Sequence, residues 1–143
     1  MGIQSILNRK GAGVITIRAT ETVKSAADRM RARSIAALVV TSGDAIAGLI
    51  SERDIVHAVS QLGERALSLA VADVMPHAMI TVAPGDTLKR AMGLMTNYRV
   101  RHLPVLADGK LVGIVSIGDV VKHRLEELET ESNVLRDAYI AAH

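Results

Sequence analysis

Two short segments of the chain combine a serine with an aspartate three residues later, directly after a glycine and two branched apolar residues. They are Ser51 with Asp54, after Gly48-Leu49-Ile50, and Ser116 with Asp119, after Gly113-Ile114-Val115. The pattern predicts a strand that runs into a helix. Such a junction holds the serine hydroxyl and the aspartate carboxylate beside the free N–H groups of the helix N-terminus, where an anion or a sugar hydroxyl can bind. The same spacing is typical of a capping box, in which both side chains serve only the helix.

Both segments belong to an internal repeat with an offset of 65 residues. Residues 14–57 align with residues 79–122 without a gap, and Thr22 falls on Thr87. A helix cap needs no such companions. A duplicated unit with one polar strand-to-helix junction per copy therefore predicts two related sites that face each other.

The composition narrows the class of protein. The chain has 143 residues, 49% of them hydrophobic, with no Cys, Trp or Phe. The core must be aliphatic, and disulfides, thiolate metal sites and Cys nucleophiles are excluded. A net charge of +2 and two tyrosines as the only aromatic residues argue against a nucleic-acid partner. None of the five histidines stands four residues from another, so the usual helical metal pair is absent.

The apolar runs are too short to cross a membrane, which takes about 20 residues. We therefore expect no membrane partner and a cytoplasmic location.

The periodicity places these residues on a repeated unit of strand, helix, strand, strand and helix. In the first copy we expect a strand at 14–17, a helix capped by Thr22, a hairpin of 35–41 with 45–51, and a helix at 52–62. In the second copy the strands are expected at 79–82, 101–106 and 111–115. Pro104 must lie where one backbone donor is dispensable, such as a sheet edge.

The last helix begins near Ile117 and continues beyond the repeat. Its apolar residues Leu125, Leu128, Leu135 and Ile140 are interleaved with glutamates. Because isolated amphipathic helices are marginal in water, we expect this extension to pack on another subunit.

Three motifs together resemble a pair of cystathionine-β-synthase (CBS) domains, the Bateman module, in its stand-alone bacterial type. They are Ile80-Thr81-Val82, His102-Leu103-Pro104-Val105 and the segment 113–119. The resemblance implies an α/β (α+β) fold in which two pseudo-twofold related β-α-β-β-α units pack as one module. The expected boundaries are 8–66 for the first unit, 67–125 for the second, and 126–143 for a C-terminal helical extension.

The resemblance also implies a function. Such modules are regulatory sensors that bind adenine nucleotides, here AMP, ATP or NAD(H), in clefts between the two units and signal to a protein partner. Two modules commonly form a flat, disc-like homodimer. The chain is then not an enzyme and carries no catalytic cofactor and no metal. The identity of the nucleotide and of the regulated partner stays open.

Carried over by position, the resemblance assigns ligand contacts. Ribose hydroxyls would bind Asp54 and Asp119. Phosphate contacts would come from Ser51, Ser116, Arg101, His102, Arg53 and Lys10. The adenine ring would lie between Ile15, Ile35, Leu49, Ile80, Val100 and Ile114. Arg101 and His102 align with Ala36 and Ala37, so the two clefts are expected to differ, and Arg101 is able to serve either one.

Two other functions compete with this interpretation. One is a structural dimerisation module whose pockets bind nothing, although an aspartate at both junctions argues against it. The other is a nucleotide-processing enzyme, which is disfavoured because the sequence offers no nucleophile elbow and no metal constellation.

Overall fold

The computed structural model describes residues 2–11 and 13–142. The helices are α1 Ile3–Lys10, α2 Val23–Arg33, α3 Glu52–Leu62, α4 Val71–Val74, α5 Leu88–Tyr98 and α6 Ile117–Ala142, with a 3-10 helix at Gly63–Ser68. The strands are β1 Thr16–Arg18, β2 Ala37–Ser42, β3 Ala45–Ser51, β4 His102–Ala107 and β5 Lys110–Ser116. The mixed α/β class is confirmed.

The two units share details that the sequence repeat predicts. Thr22 and Thr87 each accept a hydrogen bond from the backbone N–H three residues on, Ser25 and Arg90, at 3.1 Å. Each hairpin also shifts register at the same place, after Val40 in β2 and Val105 in β4. The duplication therefore extends from sequence to backbone irregularities.

The first strand of the second unit does not form, contrary to the expectation for residues 79–82. In the first unit, β1 pairs in parallel with β2, and Val39 N donates to Ile15 O at 3.3 Å. Pro104 aligns with Val39 and has no N–H, so the corresponding hydrogen bond is impossible. A single bridge between Val82 and Val105 remains. The backbone donor that Pro104 lacks is thus the one that would pair β4 with a first strand, and the second unit has no strand there.

Each unit is completed by the helix that precedes the other unit. Ile3, Ile6 and Leu7 of α1 belong to the core of the second unit, and Val71 of α4 belongs to that of the first. Gly113 makes this docking possible, because a Cβ there would lie 2.4 Å from Leu7 Cδ2. The N-terminal helix and the second unit therefore form one packed body.

Helix α6 is 26 residues long and leaves the core after its first turns. Its buried residues are Val120 and His123, and the apolar residues beyond them are exposed. These exposed residues are Leu125, Leu128, Val134, Leu135, Tyr139 and Ile140. His143, the last residue of the expected extension, lies outside the described residues. No helix within the described ranges is long and apolar enough to span a membrane.

Candidate functional site

The two Ser-Asp pairs form reciprocal hydrogen bonds at the starts of α3 and α6. Ser51 N and Ser51 Oγ donate to Asp54 Oδ2 at 2.8 and 2.9 Å, and Asp54 N donates to Ser51 Oγ at 3.4 Å. Ser116 N donates to Asp119 Oδ2 at 2.8 Å, and Asp119 N to Ser116 Oγ at 3.1 Å. The capping interpretation is therefore confirmed.

The capping hydrogen bonds use only one oxygen of each carboxylate. All of their hydrogen bonds within residues 2–11 and 13–142 end on Oδ2, so Oδ1 of each aspartate keeps its acceptor capacity. Both side chains are half-buried at the rim of the fold. Each junction thus combines a fixed carboxylate with an acceptor atom that can serve a ligand.

A cleft of about 980 Å³ opens beside Asp54, between the two units. The first unit contributes the α3 junction and Leu49, and the second contributes the segment before β4. Eight of the residues predicted to bind a nucleotide line this cleft: Leu49, Ser51, Arg53, Asp54, Ile80, Val100, Arg101 and His102. The cleft therefore brings a carboxylate, apolar walls and basic groups together from opposite units.

The charged residues of this cleft favour an anionic ligand. Its lining contains Arg53, Arg99 and Arg101 against the carboxylates of Glu52 and Asp54. Arg53 Nη1 donates to the Arg99 carbonyl at 3.3 Å, which ties α3 of the first unit to the end of α5 in the second. A guanidinium presents planar donors that match phosphate oxygens.

The second aspartate has a different environment. Lys10 Nζ, at the end of α1, donates to Asp119 Oδ2 at 2.7 Å and to the Ile114 carbonyl at 2.8 Å. Burial of the carboxylate opposes its charged form, but the hydrogen bonds from Lys10 and Ser116 outweigh this and hold the pKa of Asp119 below its usual value. Asp119 is therefore an ionised carboxylate that already has a cationic partner.

His102 lies between the two aspartate environments. It lines the Asp54 cleft and interacts electrostatically with Lys10 and Asp119. Burial of the imidazole lowers the pKa of His102, and the charge of Lys10 adds to this, while the carboxylates of Asp119 and Glu52 oppose it. The side chain is consequently neutral near pH 7 and available as a hydrogen-bonding group.

The model of the CBS domain family matches this chain twice, over residues 6–61 and 71–126. The chain belongs to the CBS-domain family. Pairs of CBS domains are regulatory modules, and the predicted Bateman module is confirmed.

Solved CBS structures resemble this one closely. A CBS-domain protein from Agrobacterium tumefaciens is 38% identical with a TM-score of 0.83, covering 85% of this chain and 92% of its own. A CBS domain protein from Pyrobaculum aerophilum, solved in complex with AMP, is 25% identical with a TM-score of 0.78 and covers 92% of this chain and 99% of its own.

A curated relative extends further than this chain. The mitochondrial CBS domain-containing protein CBSX3 of Arabidopsis thaliana is 40% identical over 125 residues, which are 84% of this chain and 60% of the relative. The chain thus spans about three fifths of that protein's length.

The other predicted contact residues of the CBS pair lie elsewhere. Ile15 packs on the core of the first unit. Ile35 lines a groove of about 510 Å³ between α2 and α3, together with Met30, Ile55 and Val56. Ile114 is half-buried beside Lys10. The predicted contacts of Ile15, Ile35 and Ile114 with adenine stay predictions, and none of these three residues lines the Asp54 cleft with Leu49.

Several residues that line the Asp54 cleft were not predicted from the sequence. His57 lies one turn after Asp54 on α3, and Tyr98 and Arg99 end α5. Arg99 adopts the left-handed conformation, with φ of 54°, as does the aligned Ser34 with φ of 53°. The repeat predicts this shared backbone, but it gives no sign that Arg99 faces the opposite unit. Among the described residues, no group of three or more His, Cys, Asp or Glu is placed to hold a metal.

Proposed function

We propose that this chain is a regulatory module that binds an adenine nucleotide in the Asp54 cleft and transmits its occupancy to a protein partner. The observation that carries the proposal is the meeting, in one cleft, of the Asp54 cap with Arg101 and His102 of the opposite unit. AMP, ATP and NAD(H) are the candidate ligands. The AMP complex of the Pyrobaculum aerophilum protein, which shares the fold over 92% of this chain, supports this class.

Each part of a nucleotide has a chemical counterpart in the cleft. The free Oδ1 of Asp54 accepts hydrogen bonds from vicinal ribose hydroxyls. Leu49, Ile80 and Val100 supply apolar walls for the adenine ring. Arg101, Arg53 and His102 supply donors for phosphate, and Ser51 is able to add its hydroxyl if it turns away from Asp54.

Occupancy of this cleft connects the two units, which gives a route to signalling. A ligand held by Asp54 on α3 and by Arg101 before β4 bridges residues that the protein otherwise joins there by the contact of Arg53 with Arg99. A ligand that prefers one relative placement of the units shifts the population toward it. The regulated partner would recognise that placement.

We also propose that the module acts as a homodimer. Val56 on α3 and Val121 on α6 occupy equivalent positions, and they are 67% and 51% exposed. The groove beside Val56 extends this apolar face across α2. Matching apolar faces on both units are suited to a symmetric partner of the same kind. The cytoplasmic location stays a prediction.

The proposal is tested by heating the full chain with AMP, ATP, NADH or S-adenosylmethionine and recording the melting temperature. A specific ligand at 100 times its dissociation constant adds about 2.7 kcal/mol of stability. Calorimetric titration then gives its affinity and stoichiometry. No shift with any of these ligands contradicts the proposal and favours the structural dimerisation module. Chromatography of the incubated nucleotides completes the test, because conversion to product indicates an enzyme.

A further inference from the structure

The contact of Lys10 with Asp119 gives the two aspartates different charged surroundings. The Lys10 ammonium donates at 2.7 Å to the Asp119 carboxylate, which is the predicted ribose acceptor, and at 2.8 Å to the carbonyl of Ile114, which is a predicted adenine contact. The Asp54 carboxylate receives its hydrogen bonds from Ser51 and opens into the large cleft. Equivalent residues thus differ in what already occupies them.

The repeat identifies the residue that stands in place of Lys10 in the other unit. Leu7 contacts Gly113 and Met75 contacts the equivalent Gly48, while Gly2 bridges Thr87 and Ala70 bridges the equivalent Thr22. In both pairs, Leu7 with Met75 and Gly2 with Ala70, the equivalent residues of the two flanking segments are 68 positions apart.

The same separation matches Lys10 with Ala78, which lines the Asp54 cleft. In sequence, the flanking segment of the first unit therefore has an alanine at the position where that of the second unit has a lysine.

A local sequence difference explains why the segment of α1 places a cation beside an aspartate and the segment of α4 does not. Helix α4 ends at Val74 because Met75 precedes Pro76, and a residue before proline is disfavoured in helical conformation. Helix α1 meets no proline and continues for one more turn, to Lys10. That turn brings the ammonium to the start of α6.

We propose that Lys10 is a specificity-determining residue that makes the Asp119 side of the module select phosphorylated over unphosphorylated nucleosides. This inference rests on the proposed function and refines the expectation that Lys10 binds phosphate. Oδ1 of Asp119 is open to ribose hydroxyls, but the ammonium of Lys10 on Oδ2 neutralises the charge of the carboxylate and so weakens the hydrogen bonds that it can accept from adenosine. Adenosine also offers Lys10 no anionic partner. AMP brings a phosphate that accepts the ammonium in exchange.

The Lys10 side chain is able to make this exchange without disturbing the fold. It is 38% exposed and sits on a flexible stem, whereas α1 is anchored separately by Ile3, Ile6 and Leu7. The ion pair with Asp119 is less accessible on the acid side, at 23%. Movement of one lysine is thus sufficient to separate the carboxylate from its cationic partner.

The test compares adenosine and AMP by calorimetric titration of the full chain. Lys10→Met keeps the length of the side chain and removes its charge. Lys24→Met is the matched control, because Lys24 makes an ion pair of 2.7 Å with Asp28 on the exposed face of α2. We expect one adenosine site and two AMP sites in the wild-type chain and in Lys24→Met.

Lys10→Met should bind adenosine at two sites. Its affinity for adenosine at Asp119 should rise on the order of tenfold, the value of one hydrogen bond to a charged group. The preference of that side for AMP over adenosine should fall at least as much.

A second measurement examines the ion pair without ligand. The pKa of Asp119, followed by NMR of its carboxyl carbon, should rise in Lys10→Met and stay unchanged in Lys24→Met. An unchanged pKa in Lys10→Met overturns the ion pair itself.

A raised pKa with one unaltered adenosine site overturns the proposed role of Lys10 in ligand choice, while binding at Asp54 still supports the proposed function. If neither adenosine nor AMP binds any variant, this role of Lys10 fails, whereas the proposed function is overturned only if ATP and NADH also leave the melting temperature unchanged.

Discussion

Replacing Asp54 by alanine should remove the ribose acceptor of the open cleft. The free Oδ1 can accept hydrogen bonds from two vicinal hydroxyls, and hydrogen bonds to a charged group contribute about 1.5 to 3 kcal/mol. We expect a loss on the order of 2 to 3 kcal/mol in adenosine binding. That loss corresponds to a roughly 30- to 140-fold weaker affinity.

The same substitution also removes a helix cap, so binding and stability must be separated. Loss of the capping interaction with Ser51 should destabilise the fold by about 1 kcal/mol. Thr22→Ala is the matched control, because Thr22 caps α2 by accepting from Ser25 N at 3.1 Å and lies outside the cleft. It should lower the free energy of unfolding similarly and leave adenosine affinity unchanged.

Calorimetry with adenosine and 2′,3′-dideoxyadenosine completes a double-mutant cycle. Wild-type protein should distinguish the two ligands by about the same factor that separates it from Asp54→Ala, and the variant should not distinguish them. If Asp54→Ala weakens both ligands equally, the carboxylate does not hold the ribose. The reasoning also fails if adenosine affinity is unaltered.

Three further predictions follow from the same structure. Arg101→Ala should weaken AMP binding more than adenosine binding, with a loss that shrinks as salt rises, whereas the surface variant Arg33→Ala should not; equal losses for both ligands would assign Arg101 to packing alone. Because burial keeps His102 neutral in the fold while the unfolded imidazole protonates near pH 6.5, the free energy of unfolding should decrease as the pH falls through that value; urea titrations of His102→Gln should show a weaker pH dependence, and an identical slope would refute it. Removing residues 129–143 should weaken self-association in sedimentation, since this deletes exposed apolar residues of α6 and spares Val120 and His123; unchanged association would exclude the extension from the interface.

The capping boxes and hairpins could be predicted because they depend on near neighbours in sequence. Ser51 reaches Asp54 within one helical turn, and the hairpin turn at Asp108-Gly109 uses residues that tolerate positive φ. The repeat then extends each local inference to the second unit. Local chemistry therefore accounts for most of the fold class and for the form of both junctions.

The remaining features depend on contacts between distant residues. Pro104 could be placed at a spare donor, but the loss of a strand at 79–82 follows from its missing bond to the Ile80 carbonyl across the sheet. The contact of Lys10 with Asp119 joins residues 109 positions apart. The cleft likewise combines Asp54 with Arg101 because of how the units face each other, which a repeat offset does not encode.

The exchange of flanking helices has a consequence for synthesis and folding. Ile3 N donates to the Asp86 carbonyl at 3.1 Å, and the Ile3 side chain is fully buried by residues of the second unit. Helix α1 precedes all of these partners in the chain, so it leaves the ribosome before them and must wait, with its apolar face uncovered, until α5 and the β4–β5 hairpin have followed. Contacts of such long sequence separation close slowly. Helix α1 is thus made before its partners and is buried only after they follow, so chaperone binding or aggregation during translation should concentrate on its apolar face.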